Sequence, residues 1–245
     1  MDAIALQRSW DAMQDACILD REDRFAAMLD AVEAAAGAAP RVLDLGGGTG
    51  SITLRLLRRL PDSRAVVLDA DPVLLAIAEA TFADDDRVGI AHADLVDPRW
   101  VEAVPEAWCP FDAVVTATAL HWLPSARIAA VYAEAADLLR SGGVVANVDH
   151  MPDSGLVNLA PLVEGIAAKR AVPAAGALDW DGWWKSLEAI PDLADSLAAR
   201  GKPPHHMHSV ESSDWHVRAL RAAGCTEVGL VWRGHQDALI VGVRS

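Results

Sequence analysis

Val42-Leu43-Asp44-Leu45-Gly46-Gly47-Gly48-Thr49-Gly50 is the stretch on which the reading of this chain turns. An apolar run of strand length enters a glycine-rich turn, and residues 51–60 beyond it carry helical spacing. Glycine takes positive φ without steric cost and lets a ligand approach the backbone. The start of the following helix offers free N–H groups. Strand, turn and helix in that order make the first crossover of a nucleotide-binding α/β sheet, with its ligand at the carboxyl edge of the strands.

The loop discriminates between two cofactors. A dinucleotide fingerprint, GxGxxG, beginning at Gly46 requires glycine at position 51, where Ser51 stands; beginning at Gly48 it requires glycine at 53, where Thr53 stands. Both registers fail. Asp44 also precedes the first glycine. Its carboxylate repels a pyrophosphate and attracts the ammonium group of an amino-acid moiety.

Outward from the loop the pattern alternates. Strands are expected at residues 41–45, 65–68, 87–91, 111–117 and 144–148, with helices at 51–60, from Pro72 to about Phe82, and at 126–139. Such alternation predicts a doubly wound, mostly parallel α/β sheet with helices on both faces. Residues 3–36 read as helical, with Phe25, Met28, Leu29 and Val32 on one face and Gly37 and Pro40 as the stop. After His150 the rhythm breaks: residues 151–211 show no strand and read as a helical insertion containing Trp180, Trp183 and Trp184. A helix at 215–223 and strands at 227–232 and 238–243 follow. The short connection between the two strands predicts a hairpin, hence an antiparallel strand at that edge of a seven-stranded sheet. The 245 residues are thus expected to form a single domain, with residues 1–40 as an N-terminal helical segment and 151–211 as a cap or lid.

Composition narrows the function. With 21 basic and 35 acidic residues the net charge is −14, which opposes nucleic-acid and anionic-lipid partners. Arg55, Arg58 and Arg59 are the densest basic group and read as a solvated helix face. Cys17, Cys109 and Cys225 are scattered, without the spacing of a zinc site or a disulfide framework. The acidic first residues lack the pattern of a secretion signal, and no apolar run reaches membrane-spanning length. A cytoplasmic location, no membrane partner and no metal are expected.

Asp44-Leu45-Gly46-Gly47-Gly48-Thr49-Gly50 resembles the DxGxGxG motif of class I S-adenosylmethionine-dependent methyltransferases, and the resemblance runs over residues 41–150 and the closing strands. It implies S-adenosylmethionine as cofactor, cradled by Asp44, Gly46, Gly48 and Gly50. Asp69, in Val66-Val67-Leu68-Asp69-Ala70-Asp71-Pro72, holds the family's place for an acceptor of the ribose hydroxyls. Asp94, in Ala91-His92-Ala93-Asp94-Leu95, holds the place for a contact to the adenine amino group. Leu95 and Thr118 belong to the same implied set.

Thr116-Ala117-Thr118-Ala119-Leu120-His121-Trp122-Leu123-Pro124 resembles the loop after strand four in small-molecule enzymes of the trans-aconitate methyltransferase type, with Trp122 at an aromatic position. It lacks the Asn/Asp-Pro-Pro-aromatic motif of enzymes that methylate exocyclic amines of DNA bases, and the ligand set of metal-dependent catechol-type enzymes is incomplete. The expected reaction is methyl transfer to oxygen or nitrogen of a small molecule. His121 is the candidate general base, or else a loop histidine bonded to backbone; Asp149 and His150 end the fifth strand at the same edge. Trp122, His150, Trp180, Trp183 and Trp184 are candidate acceptor contacts, although the three insertion tryptophans also suit plain packing. His205, His206 and His208 read as an exposed loop or a metal-binding tract. A nicotinamide-dependent oxidoreductase and a non-catalytic cofactor-binding regulator remain the competing functions.

Overall fold

The computed structural model describes residues 1–170, 176–201 and 210–245. Two helices, α1 (Ala3–Cys17) and α2 (Arg21–Ala36), precede an alternating series. It comprises β1 (Arg41–Leu45), α3 (Ser51–Arg59), β2 (Arg64–Asp69), α4 (Pro72–Thr81), β3 (Val88–His92), β4 (Phe111–Ala117), α5 (Ser125–Asp137) and β5 (Leu139–His150). The insertion contributes α6 (Leu159–Arg170), α7 (Trp180–Leu187) and α8 (Ala194–Ala199). The chain then returns to the sheet through α9 (Ser213–Ala222), β6 (Cys225–Gly234) and β7 (Asp237–Arg244).

The seven strands lie in the order β3-β2-β1-β4-β5-β7-β6. β1 to β5 are parallel, while β7 runs antiparallel to both β5 and β6. The antiparallel strand therefore sits one place in from the edge, with β6 outside it. Strand order reverses between β1 and β4, and that crevice is where a doubly wound sheet takes its ligand. The inner strands are apolar on both faces because helices cover both. Leu43, Val66, Val114 and Val145 pack with Tyr132 of α5 and Leu220 of α9. Val42, Ala113 and Val115 pack on the other face with Phe25, Met28, Leu29 and Val32 of α2 and with Ile52 and Leu56 of α3.

Two boundaries differ from the sequence reading. The expected helical stretch 3–36 is broken at residues 18–20, where Asp20 takes φ 54° and lets α2 leave at a new angle. β5 begins at Leu139 rather than 144. Gly142 takes positive φ there, and the pairing with β4 passes from Phe111–Leu139 to Ala113–Val144 across an irregularity, so the glycines lie in a bulge within the strand rather than before its start. Among the described residues no helix is long and apolar enough to cross a membrane.

Candidate active site

The glycine loop is shaped by its backbone. Gly46, Gly48 and Gly50 have φ of 63°, 56° and 81°, a region that side chains with a Cβ rarely enter. A Cβ on Gly46 would also lie 2.5 Å from the Ala119 side chain, and one on Gly50 2.5 Å from Phe82. A Cβ on Gly48 would meet only ordinary contacts, Leu74 Cδ1 at 3.5 Å and Asp69 Oδ2 at 3.9 Å. A side chain there would occupy the space beside Asp69.

Asp44 is fully buried at the carboxyl end of β1. Its Oδ2 accepts from the Thr53 hydroxyl at 2.9 Å, while Oδ1 has no hydrogen-bond partner. Burial pushes its pKa up to about 7, against the lowering effect of the Thr53 hydrogen bonds. An orphaned carboxylate oxygen beneath a glycine turn suits a cationic ligand group. At the end of β2, Asp69 accepts from Gly48 N and Asp71 N, both at 2.8 Å. Burial raises its pKa, and these backbone donors oppose the rise. Asp71 in turn caps α4 through Val73 N and Leu74 N.

Asp94 is exposed and accepts from Val96 N at 2.8 Å, fixing the turn after β3; Leu95 beside it is buried. A cavity of about 400 Å³ opens beside Asp94, lined also by His92, Ala93 and Trp100 but by none of the glycine-loop residues. Thr118 takes φ 49° and donates its N–H to Val148 O at 2.9 Å. This twist turns the chain out of β4 into the short helical turn Leu120–Trp122.

That turn presents His121 to the end of β5. Its backbone N–H donates to Asp149 Oδ2 at 3.1 Å, and its Nδ1 lies 2.6 Å from Asp149 Oδ1. Asp149 Oδ1 also accepts from His150 N at 2.8 Å. Burial raises the Asp149 pKa, but the bonds from His121 and His150 outweigh it and hold the carboxyl below its usual range. The imidazole is thereby held by Nδ1, leaving Nε2 as its other working nitrogen. Trp122 and His150 flank it, with ring centroids 4.7 and 5.3 Å away.

Sequence reasoning therefore brought His121, Asp149, His150 and Trp122 to one place, and the structure gathers them. It missed the layer behind. His150 Nδ1 lies 2.5 Å from Asp237 Oδ1, and Asp237 Oδ2 pairs with Arg24 of α2. The signal was the charged residue opening a strand that ought to be apolar, which pairs in register with His150.

The insertion tryptophans lie elsewhere. Trp183 is fully buried among Trp10, Met13, Val73, Leu74 and Leu187, its ring 4.8 Å from Trp10 and its Nε1 donating to Ser9. Trp184 carries Arg200 over its face at 3.4 Å, and Trp180 packs on Trp10 and Trp184. Through Trp183 the group holds α7 against α1 and α4, while Trp180 stays exposed and Trp184 partly so. Of the arginine group, Arg58 and Arg59 lie exposed on the face of α3, Arg59 pairing with Asp30 and Glu33, while Arg55 is half-buried and pairs with Glu22 and Asp11. His205, His206 and His208 lie outside the described residues. Among the described residues no group of three His, Cys, Asp or Glu side chains is arranged to hold a metal ion.

A glycine cradle at the strand-order reversal, an acidic residue at the end of β2 and a histidine–carboxylate pair after β4 together define a nucleotide-cofactor transferase fold. Residues 42–143 match the methyltransferase domain family. An uncharacterized methyltransferase of Mycobacterium tuberculosis is 32% identical over 184 residues, 75% of this chain and 79% of the relative. Trans-aconitate 2-methyltransferase of Streptomyces avermitilis is 33% identical over 120 residues, covering 47% and 42% of the two chains. Human N-acetylserotonin methyltransferase, solved in complex with S-adenosylmethionine, superposes with a TM-score of 0.60 at 15% identity, over 97% of this chain and 56% of that one. An O-methyltransferase family protein from Burkholderia thailandensis gives 0.59 at 20% identity, over 100% and 70%. The chain belongs to the class I S-adenosylmethionine-dependent methyltransferases. It is an enzyme with S-adenosylmethionine as its cofactor, which sets aside the oxidoreductase and the non-catalytic regulator.

Proposed function

We propose that this methyltransferase methylates an oxygen of a small-molecule acceptor, with His121 as the general base; a nitrogen acceptor is the second choice. The observation that carries the reading is the 2.6 Å contact between His121 Nδ1 and Asp149. A buried carboxylate that fixes the ring through Nδ1 and leaves Nε2 to accept a proton is what an acceptor hydroxyl needs, whereas an unprotonated amine needs no base.

The cofactor supplies a methyl group on a positively charged sulfur. Asp44 would receive the ammonium group with its orphaned oxygen, Gly46, Gly48 and Gly50 would let the backbone come close, and Asp69 would take the ribose hydroxyls. Asp94 and Leu95 would meet the adenine, and Thr118 would hold the β4 loop toward the cofactor. Trp122 forms a flat wall beside His121 and helps to exclude water, which raises the strength of every polar contact inside. His121 then removes the hydroxyl proton while proximity does much of the remaining work. In this reading the insertion after β5 would serve as a cap on the same single domain.

A metabolite-library screen for release of S-adenosylhomocysteine identifies the acceptor. The product then decides the chemistry: methyl ether or ester supports the reading, and methylation at carbon overturns it.

A further inference from the structure

Beside the His121–Asp149 pair stands a second imidazole–carboxylate pair, which the proton transfer above leaves unused. His150 is held by Asp237, and Asp237 is shared with Arg24. Arg24 and Asp237 are both buried. Nε and Nη1 of Arg24 have no hydrogen-bond partner, so this guanidinium is fixed by its charge pairing and its bond to Leu19 O more than by a full set of hydrogen bonds. The His150 ring itself is about one-third exposed. Arg24 and His150 thus flank one buried carboxylate, and the more accessible of them, His150, lies beside the base.

We propose that the acceptor is a planar molecule carrying a carboxylate next to its reacting hydroxyl, and that His150 binds the carboxylate while His121 takes the hydroxyl proton. The proposal rests on the reading of His121 as base. The two ring centroids stand 5.3 Å apart, close enough for one small ligand with two neighbouring oxygen groups to meet both rings. Trp122, 4.7 Å from His121, offers an aromatic face to a planar partner. With Nδ1 engaged by Asp237, Nε2 is the nitrogen that His150 has left for a ligand, and a protonated imidazole makes a charge-assisted bond to a carboxylate.

The charges around His150 support this state. The hydrogen bond to Asp237 of β7 raises its pKa and burial opposes the rise; Asp149 on β5 adds to it, and Arg24 on α2 works against it. In the transfer, the hydroxyl proton passes to Nε2 of His121 as an oxygen electron pair forms the bond to the methyl carbon. The carbon–sulfur pair stays on sulfur, leaving a neutral thioether and a methyl ether whose carboxylate is still held by His150.

Calorimetry on the protein saturated with S-adenosylhomocysteine tests the idea with three probes: 2-hydroxybenzoate, benzoate and phenol. At pH 6.5 the hydroxy acid should bind at least about tenfold more tightly than phenol, and the advantage should shrink as pH rises and His150 loses its proton. His150→Gln should remove the preference while cofactor affinity stays intact; Asp237→Asn should lower the pH at which the preference disappears. Equal binding of phenol and the hydroxy acid, no binding of any probe, or a preference that survives His150→Gln overturns the proposal. His121→Gln separates the two readings. If it leaves turnover intact while the carboxylate preference persists, the base assignment fails and the carboxylate site stands.

Discussion

Gly48 and Asp69 meet at a single hydrogen bond, and each limits what can replace the other. Valine at 48 must hold a β-branched side chain near φ 56°, a strain of about 1–3 kcal/mol, and its side chain occupies the space beside Asp69. Gly48→Val should therefore leave the chain folded, by circular dichroism, while calorimetry detects no cofactor binding. Asp69→Ala removes acceptors worth about 1.5–3 kcal/mol for each charge-assisted contact. Cofactor affinity should fall by about tenfold or more, and an unchanged value would reject Asp69 as the ribose ligand. His121→Ala should lower turnover by about 10²–10⁴ with cofactor affinity nearly unchanged. Asp149→Asn should follow the same pattern, because an amide cannot accept from three N–H groups and still satisfy its own NH₂. If cofactor affinity falls as steeply as turnover in either variant, the pair belongs to the cofactor rather than to the acceptor.

At the scale of elements, α7 is joined to the body through Trp183. Truncating a fully buried tryptophan costs about 3–5 kcal/mol. Trp183→Ala should raise amide exchange in α7 and in the facing part of α1, with β1 and β4 still protected; uniform exchange across the sheet would mean that the insertion is integral to global stability. The strands and the cofactor loop were legible in the sequence because both are local. An apolar run, three glycines at alternate positions and an acidic residue after the next strand depend on neighbours close along the chain. Where α7 docks was not legible, since an indole stripe looks the same whether it faces an acceptor or another helix. Arg24 and Asp237, separated by 213 residues, meet only through the placing of β7. No periodicity announces such a pair.

For the molecule as a whole, two buried groups set opposing pH limits. Asp44 has its pKa raised to about 7, so the folded state binds more protons than the unfolded one between about pH 4 and 7, and stability falls as pH rises through that window. His216, beneath the site and bonded to Tyr132 at 2.7 Å, is pushed by burial down to about 4. It contributes stability above its unfolded value near 6.5, lost as pH falls toward 4. Each amounts to about 3–4 kcal/mol at most, and across pH 4–6.5 they largely cancel. Asp44→Asn should therefore raise the Tm of the cofactor-free protein little at pH 4 and most above pH 7, while weakening cofactor binding. A thermal series over that range, on variant and parent, checks it; a gap that does not vary with pH would show that Asp44 is not the titrating group.

The place of β7 between β5 and β6 has a consequence for how the enzyme comes into being. A ribosome delivers β5 well before its neighbour, so the growing chain carries a bare strand edge whose amides have nothing to pair with until Asp237 and the residues after it arrive. Over that interval His150 lacks its carboxylate partner, 87 residues downstream, and Arg24 lacks the anion that neutralises it. The half-built molecule is thus both sticky and chemically incomplete. Docking of the β6–β7 hairpin on β5 seals that edge and brings Asp237 to His150 and Arg24 at the same stroke. Assembly and competence are reached together.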